Sequence, residues 1–288
     1  MKKPIVIFDT DMDTDCDDAG ALLMLINAHL AGQITLLGVV ADSICAHAAP
    51  FCKGVLDYCG VSVPLGEVYG HVEPQEEHLP YLEHQNACAD VAYNKMLSER
   101  NGELENATEL YKNLLTQAQD KSVTVLCVGL LTAISKVVEE DTALFEKKVE
   151  KVVLMGNPYK KNDFNLGMDS KSTERFFDLC PSPIYVSYLG REIITGNYLR
   201  NTLPHNHPVR RAYEIWADGK GRSSWDLIAA LYAINPDSDL FKVKERGRIS
   251  YQSEEQISVI DKSGTRDTVI GLNCTNEEME NLLNSLLG

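Results

Sequence analysis

Residues 4–32 read PIVIFDTDMDTDCDDAGALLMLINAHLAG. An apolar run ending at Phe8 meets six aspartates in ten positions (Asp9, Asp11, Asp13, Asp15, Asp17 and Asp18), and an apolar stretch of helical length follows. The pattern predicts a strand, an acidic loop and a helix. Outward from it the same rhythm repeats: ITLLGVVAD (34–42), APFCKGVLDYCG (49–60), VSVPLG (61–66). Apolar strand runs alternating with helical segments are the βαβαβ pattern of an open, mostly parallel, Rossmann-like sheet. The strands read as continuous apolar runs because helices cover both faces.

Residues 70–104 break the rhythm. They are polar, carry three of the seven histidines, and are expected to form an excursion over the surface. The alternation then resumes with a helix at 106–119, a strand at 122–129, a helix at 130–138, a strand at 149–156, a helix at 170–180 and a strand at 183–190. Two further helices are expected at 207–219 and 223–234. Short alternating runs at 247–252, 256–261 and 265–272 predict a hairpin or meander, and a last helix at 275–288 has Thr275 as its N-cap. These tail elements are expected to form a small C-terminal β/helical appendage.

The chain has 288 residues, which one α/β domain can accommodate, so a single domain over 1–288 is expected. Its net charge of −15 disfavours nucleic acid and anionic membranes, which need basic patches, and favours neutral ligands or a cation. The apolar run after Lys3 is too short for a signal peptide, and no stretch approaches a membrane span. Eight scattered cysteines without a C-x-x-C pair read as reduced core thiols of a cytoplasmic protein.

In a parallel sheet, ligands bind beyond the carboxyl ends of the strands, where Asp9 and Asp11 fall. Asp17 alone has a simpler explanation, as a helix cap. Clustered carboxylates repel by several kcal/mol at intermediate dielectric, so a cation is expected among them, and an all-oxygen donor set favours Ca²⁺ or Mg²⁺. An EF-hand would need glycine at Thr14, glutamate at Gly20 and a helix where PIVIF stands. A haloacid-dehalogenase-type phosphatase would share the strand-terminal D-x-D, but its late acidic motif is not found.

A third pattern fits more of the chain. DTDMDTDCDDAGAL (9–22) resembles the N-terminal signature of the nucleoside hydrolases of the inosine-uridine preferring type. VLCVGLLTAI (125–134), VVLMGNPYKKNDFNLGMDSKST (152–173) and SSWDLIAALYAINP (223–236) resemble later motifs of that family in the same order. The resemblance implies a Ca²⁺-dependent hydrolase of the N-glycosidic bond of ribonucleosides, acting as a homo-oligomer, a dimer or tetramer. It implies that Asp11 ligates the ion and takes the proton from the attacking water, and that Asp18, the Val128 carbonyl and Asp226 are further ligands. Asp17 would bind a ribose hydroxyl, with Asp163, Asn165 and either Asn157 or Asn162 reaching the sugar. Structural readings compete for some of these: NDFN as a polar turn, and Asp226 as a first-turn acid of a helix capped by Ser223 or Ser224.

Three departures from the family pattern bear on the site. Two extra residues lengthen the acidic loop, so Asp15 competes with Asp17 and Asp18 for the ion, and Asp13 replaces a glycine. ADSICAHA (41–48) offers Asp42 or Ser43 as a ribose contact where relatives have asparagine. Trp225 stands where the family has the histidine that protonates the leaving base. An indole N–H is too weak an acid for that task, though its ring can stack on a base. His47, His78, His84 and Tyr159 are candidate substitutes. The competing functional reading is a ribose- and calcium-binding protein of the same fold with weakened catalysis.

Overall fold

The computed structural model describes residues 3–12, 15–43, 48–68 and 104–288. Its strands are β1 (Ile5–Thr10), β2 (Thr35–Ala41), β3 (Leu65–Glu67), β4 (Glu105–Asn106), β5 (Val123–Cys127), β6 (Val149–Met155), β7 (Ile184–Ser187), β8 (Ile194–Thr195), β9 (Arg222–Ser223), β10 (Phe241–Gln252), β11 (Ile257–Asp261) and β12 (Asp267–Leu272). Its helices are α1 (Asp17–Leu30), α2 (Ala48–Tyr58), α3 (Ala107–Gln117), α4 (Thr132–Glu140), α5 (Thr142–Lys148), α6 (Phe164–Met168), α7 (Ser170–Leu179), α8 (Leu199–Thr202), α9 (Pro208–Trp216), α10 (Trp225–Ile234) and α11 (Asn276–Leu287).

Ten of these strands form one sheet in the order β11-β10-β12-β7-β6-β5-β1-β2-β3-β4. β10 runs antiparallel to both of its neighbours, and the other pairings are parallel. Period-2 alternation divides each central strand between two cores. Val6 and Phe8 of β1 pack with α1, α2, α9 and α10 on one face, while Ile7 packs with α3, α4 and α7 on the other. Each of these three side chains is fully buried, a burial that contributes about 1.5–3 kcal/mol per side chain. Helix α1 is buried on nearly all sides because α10 and α2 cover what the sheet does not. That explains its continuous apolar run.

The tail forms the expected meander, but the structure joins it to the main sheet. β12 pairs in parallel with β7, placing Thr268 opposite Tyr185, and β10 and β11 follow it outward. Without β12 the outer edge of β7 would expose unpaired backbone groups. Thr275 caps α11 in a reciprocal box with Glu278. Of the expected 70–104 excursion, all but Leu104 lies outside the described residues.

The connections leave β1 toward β2 on one side, and β5, β6 and β7 continue on the other. The sheet order therefore reverses between β1 and β5, and a crevice opens at their carboxyl ends. Asp9 sits opposite Cys127 in that register, so Asp11 and the Val128–Gly129 segment emerge side by side at the reversal.

Candidate active site

The aspartates that follow the acidic loop are held by bonds that reach β1 and a second helix. Helix α1 has Cys16 as its N-cap with no side-chain cap, so Asp17 is not the cap the sequence allowed. Its carboxylate instead accepts the backbone N–H of Asp226, at 3.1 Å, in the first turn of α10. The two helix N-termini thus meet, and their free N–H groups and dipoles favour carboxylates there. Ser224 is the N-cap of α10 by position only, since its hydroxyl bonds the Ile193 carbonyl. Thr10 donates from its hydroxyl to Asp18. As a result Asp17, Asp18 and Asp226 each bring a carboxylate oxygen within 4.8 Å of the others, and all three are buried. Asp11, only 2% exposed, packs against Gly129, where an added Cβ would stand 2.3 Å from the Asp11 nitrogen and 2.6 Å from its Oδ1. Only glycine lets β1 and the segment after β5 approach this closely.

These carboxylates border a cleft of about 1140 Å³. Asn157, Asp163 and Asn165, carried by the segment after β6, line the same cleft. Asp163 caps the short helix α6 through the Leu166 N–H, and Asn165 donates its amide to the Val128 carbonyl, orienting that oxygen. Asn157 accepts the N–H of Tyr159 at 3.0 Å. Asn162 adopts a positive φ of 54° and is not among the cleft-lining residues. The loop after β7 forms a further wall. Gly190 has φ +121° and an added Cβ there would lie 2.6 Å from the backbone of Ser224 and Trp225, so this loop braces the start of α10.

Two expectations change. Asp15 gives both oxygens to Arg222, at 2.5–3.0 Å, and does not join the Asp17–Asp18–Asp226 group. Asp15 lies against β9, where a guanidinium fork matches a carboxylate. Asp42 lies outside the cleft and accepts the Ala133 N–H at 2.7 Å, holding the N-terminus of α4 rather than facing a sugar. Ser43 is buried beside it and does not line the cleft. Among the proposed acids, Tyr159 has a largely exposed ring and donates its hydroxyl to Glu245 at 2.6 Å; partial desolvation and that carboxylate raise its pKa. It is thus a poorer proton donor than free tyrosine. His47, His78, His84 and Asp13 lie outside the described residues.

Burial first, and the neighbouring carboxylates second, raise the pKa of Asp17, Asp18 and Asp226 well above the usual range. Asp9 is raised by burial and by the Asp42 charge, although the Tyr111 hydroxyl donates to it at 2.5 Å. A pair of carboxylates 4 Å apart repels by about 4 kcal/mol at an effective dielectric near 20. Asp226 Oδ1 is buried and has no hydrogen-bond partner. Converging, mutually repelling, all-oxygen donors with an orphaned buried oxygen fit a hard divalent cation.

The family model for inosine-uridine preferring nucleoside hydrolase matches residues 6–282. The chain belongs to that family. It is a hydrolase acting on N-glycosyl compounds. Among solved structures, the inosine-uridine preferring nucleoside hydrolase from Bacillus anthracis superposes with a TM-score of 0.76 at 16% identity, covering 99% of both chains. The purine-preferring ribonucleoside hydrolase from Gardnerella vaginalis gives 0.75 at 16% identity and 98% of both chains. The type III effector protein XopQ, complexed with adenosine diphosphate ribose, gives 0.71 at 14% identity, covering 100% of this chain and 94% of the other. At such identities the likeness is one of fold. No curated protein matches this sequence.

In this nucleoside hydrolase three contributors to the site were not singled out from sequence. Gly129 and Gly190 matter through close approaches that only the folded chain creates. Arg222 stands 207 positions from its partner Asp15; the lone local signal was a cation three residues before Trp225. Among the described residues no helix is long and apolar enough to cross a membrane.

Proposed function

We propose that the whole chain acts as one domain that hydrolyses the N-glycosidic bond of a ribonucleoside or related riboside, releasing ribose and the free base in a Ca²⁺-dependent reaction. The observation that carries this reading is the buried convergence of Asp17, Asp18 and Asp226 beside Asp11 at the reversal of the sheet. Asp11, Asp18, Asp226 and the Val128 carbonyl are the proposed ligands, and Asp15 is left out because Arg222 engages both of its oxygens. When bound, the cation would make a water easier to deprotonate and grip the vicinal ribose hydroxyls.

The chain's own groups do the rest. Asp11 accepts the proton of the attacking water as the oxygen–C1′ bond forms. The C1′–N bond breaks and its electron pair leaves with the base. Buried carboxylates favour the oxocarbenium-like state between these events, because positive charge develops on the sugar. Asp17 accepts a hydrogen bond from a ribose hydroxyl through its second oxygen, while Asn157, Asp163 and Asn165 offer further polar contacts to the sugar. Trp225 offers its ring to the base. Free cysteines at the six described positions are consistent with a reducing, cytoplasmic setting, and assembly into a homodimer or homotetramer is part of the proposal.

The test is a screen of nucleosides and 4-nitrophenyl riboside with and without chelator. Release of ribose that stops on chelation and returns with Ca²⁺ is expected. Trp225 in place of an acid supports a second reading, a ribose- and calcium-binding protein with weakened catalysis. Ribose binding without release even from the nitrophenyl riboside would establish that reading and overturn the first. Mg²⁺-dependent cleavage of nitrophenyl phosphate instead would point to a phosphatase.

A further inference from the structure

The cleft is lined by three cationic side chains among the described residues: Lys160, Arg191 and Arg222. Lys160 and Arg191 are exposed at the rim. Arg222 is different. Asp15 takes its Nε and Nη2 in a forked ion pair at 2.5–3.0 Å, and its guanidinium carbon lies 5.1 Å from the centre of the Trp225 ring. Nη1 takes no part in that ion pair. The guanidinium is therefore fixed by a carboxylate and by an aromatic face, 36% exposed, on a wall of the cleft. Arg222 and Trp225 line the same cleft as the acid cluster and Asn157, Asp163 and Asn165, so an aglycone carried by a sugar bound there shares the cleft with them.

We infer that Arg222, held by Asp15 and stacked on Trp225, receives the departing aglycone, and that the site selects ribosides whose planar aglycone leaves as an anion. The inference rests on the hydrolase reading above and deepens it by naming the substrate class. Guanidinium is charged at any pH the protein survives, so it cannot supply a proton as an imidazolium can. Its charge is paired with Asp15, and what it can place where negative charge develops is the Nη1 N–H donors outside that pair. In the step concerned, water oxygen bonds to C1′ and its proton passes to Asp11. The bond from C1′ to the leaving atom breaks, and the electron pair departs on the aglycone, whose negative charge faces Arg222. The anion takes its proton from solvent after release. Aglycones of low basicity, with the charge spread over exocyclic oxygens as well as the ring, match this wall; strongly basic leaving groups that must be protonated first do not.

The experiment uses the full chain with Ca²⁺ and a series of substituted phenyl ribosides of graded phenol acidity, with Arg222→Gln and Arg222→Lys beside the native protein. Calorimetry of 4-nitrophenolate and of neutral nitrobenzene supplies a readout independent of turnover. Removal of a charge-stabilising donor of this kind costs roughly 10²-fold. Arg222→Gln is expected to lose about that in kcat/KM on the least acidic phenol and only a few-fold on 4-nitrophenol, which steepens the dependence on leaving-group acidity. It is also expected to bind nitrophenolate roughly tenfold more weakly while nitrobenzene affinity is unchanged, with Arg222→Lys intermediate on both measures. Equal losses across the series, or unchanged nitrophenolate affinity, would overturn the inference and reduce Arg222 to a brace for the acidic loop. If the native protein cleaves no riboside, the hydrolase reading has failed, and nitrophenolate binding still decides the role of Arg222. Should Arg222→Gln not fold, Arg222→Lys carries the same comparison.

Discussion

Asp11 lies one residue past β1, buried against Gly129, and is the residue proposed above as both ligand and base. On that proposal, replacing it by asparagine would keep an oxygen ligand and remove the base. Turnover by Asp11→Asn is expected to fall by about 10²–10⁴-fold, with a smaller loss in ribose binding measured by calorimetry. Native-like kcat in that variant would show that the base is another residue. Gly129→Ala probes the same contact from the other side, because the added methyl would meet the Asp11 backbone, which cannot swing away as a side-chain tip can. A loss of about 1–3 kcal/mol in stability is expected, together with weaker divalent-ion binding. An unchanged melting temperature and ion affinity would mean that the approach of β1 and the segment after β5 is looser than the structure has it.

Helices α1 and α10 meet at their N-termini, and the elements around them set how tightly. Asp17 bridges them through the Asp226 N–H, while the loop after β7 presses Gly190 against Ser224 and Trp225. A side chain at Gly190 meets both a disfavoured backbone conformation and fixed backbone atoms. Gly190→Ala is therefore expected to cost about 1–3 kcal/mol and to displace the start of α10. Because Asp226 rides on that turn, divalent-ion affinity should fall with stability; a variant that loses stability while binding the ion normally would uncouple the loop from the site. Element-level patterns were legible where they are local. The strand-loop-helix reading of 4–32, and the Thr275 cap, follow from neighbouring residues alone. The destinations of Asp15 and Asp42 were not legible, since an aspartate near a motif looks the same whether it faces a ligand, an arginine 207 positions away, or the N-terminus of another helix.

At the scale of the whole molecule, burial above all raises the pKa of five buried carboxyls: Asp9, Asp17, Asp18 and Asp226 well above the usual range, and Asp42 to about 7. Each binds its proton more tightly in the folded state than in the unfolded chain, which releases it near pH 4. Their contribution to stability without divalent ions is thus fully present below about pH 4 and is lost as pH rises through the folded values, near 7 for Asp42. Melting temperature in chelator is expected to fall between about pH 5 and pH 8. Added Ca²⁺ at about pH 8 should restore it, by roughly 2.7 kcal/mol at a hundredfold excess over Kd. A melting temperature that rises with pH in chelator, or ignores Ca²⁺, would remove the cation from the account. Asp42→Asn should flatten part of the slope, because the amide keeps the acceptor and loses the charge.

The sequence by itself determined the layered α/β fold, because apolar period and turn residues act between neighbours. It also placed the acid cluster at a strand end, because covalent order ties the loop to β1. Tertiary structure alone decided which aspartates converge, since Asp11, Asp15, Asp17, Asp18 and Asp226 are joined or separated only by where the second helix, the β9 cation and the segment after β5 come to rest. Glycine at 129 and 190 and arginine at 222 acquire meaning from distances between elements far apart in the chain, where no local pattern leaves a trace.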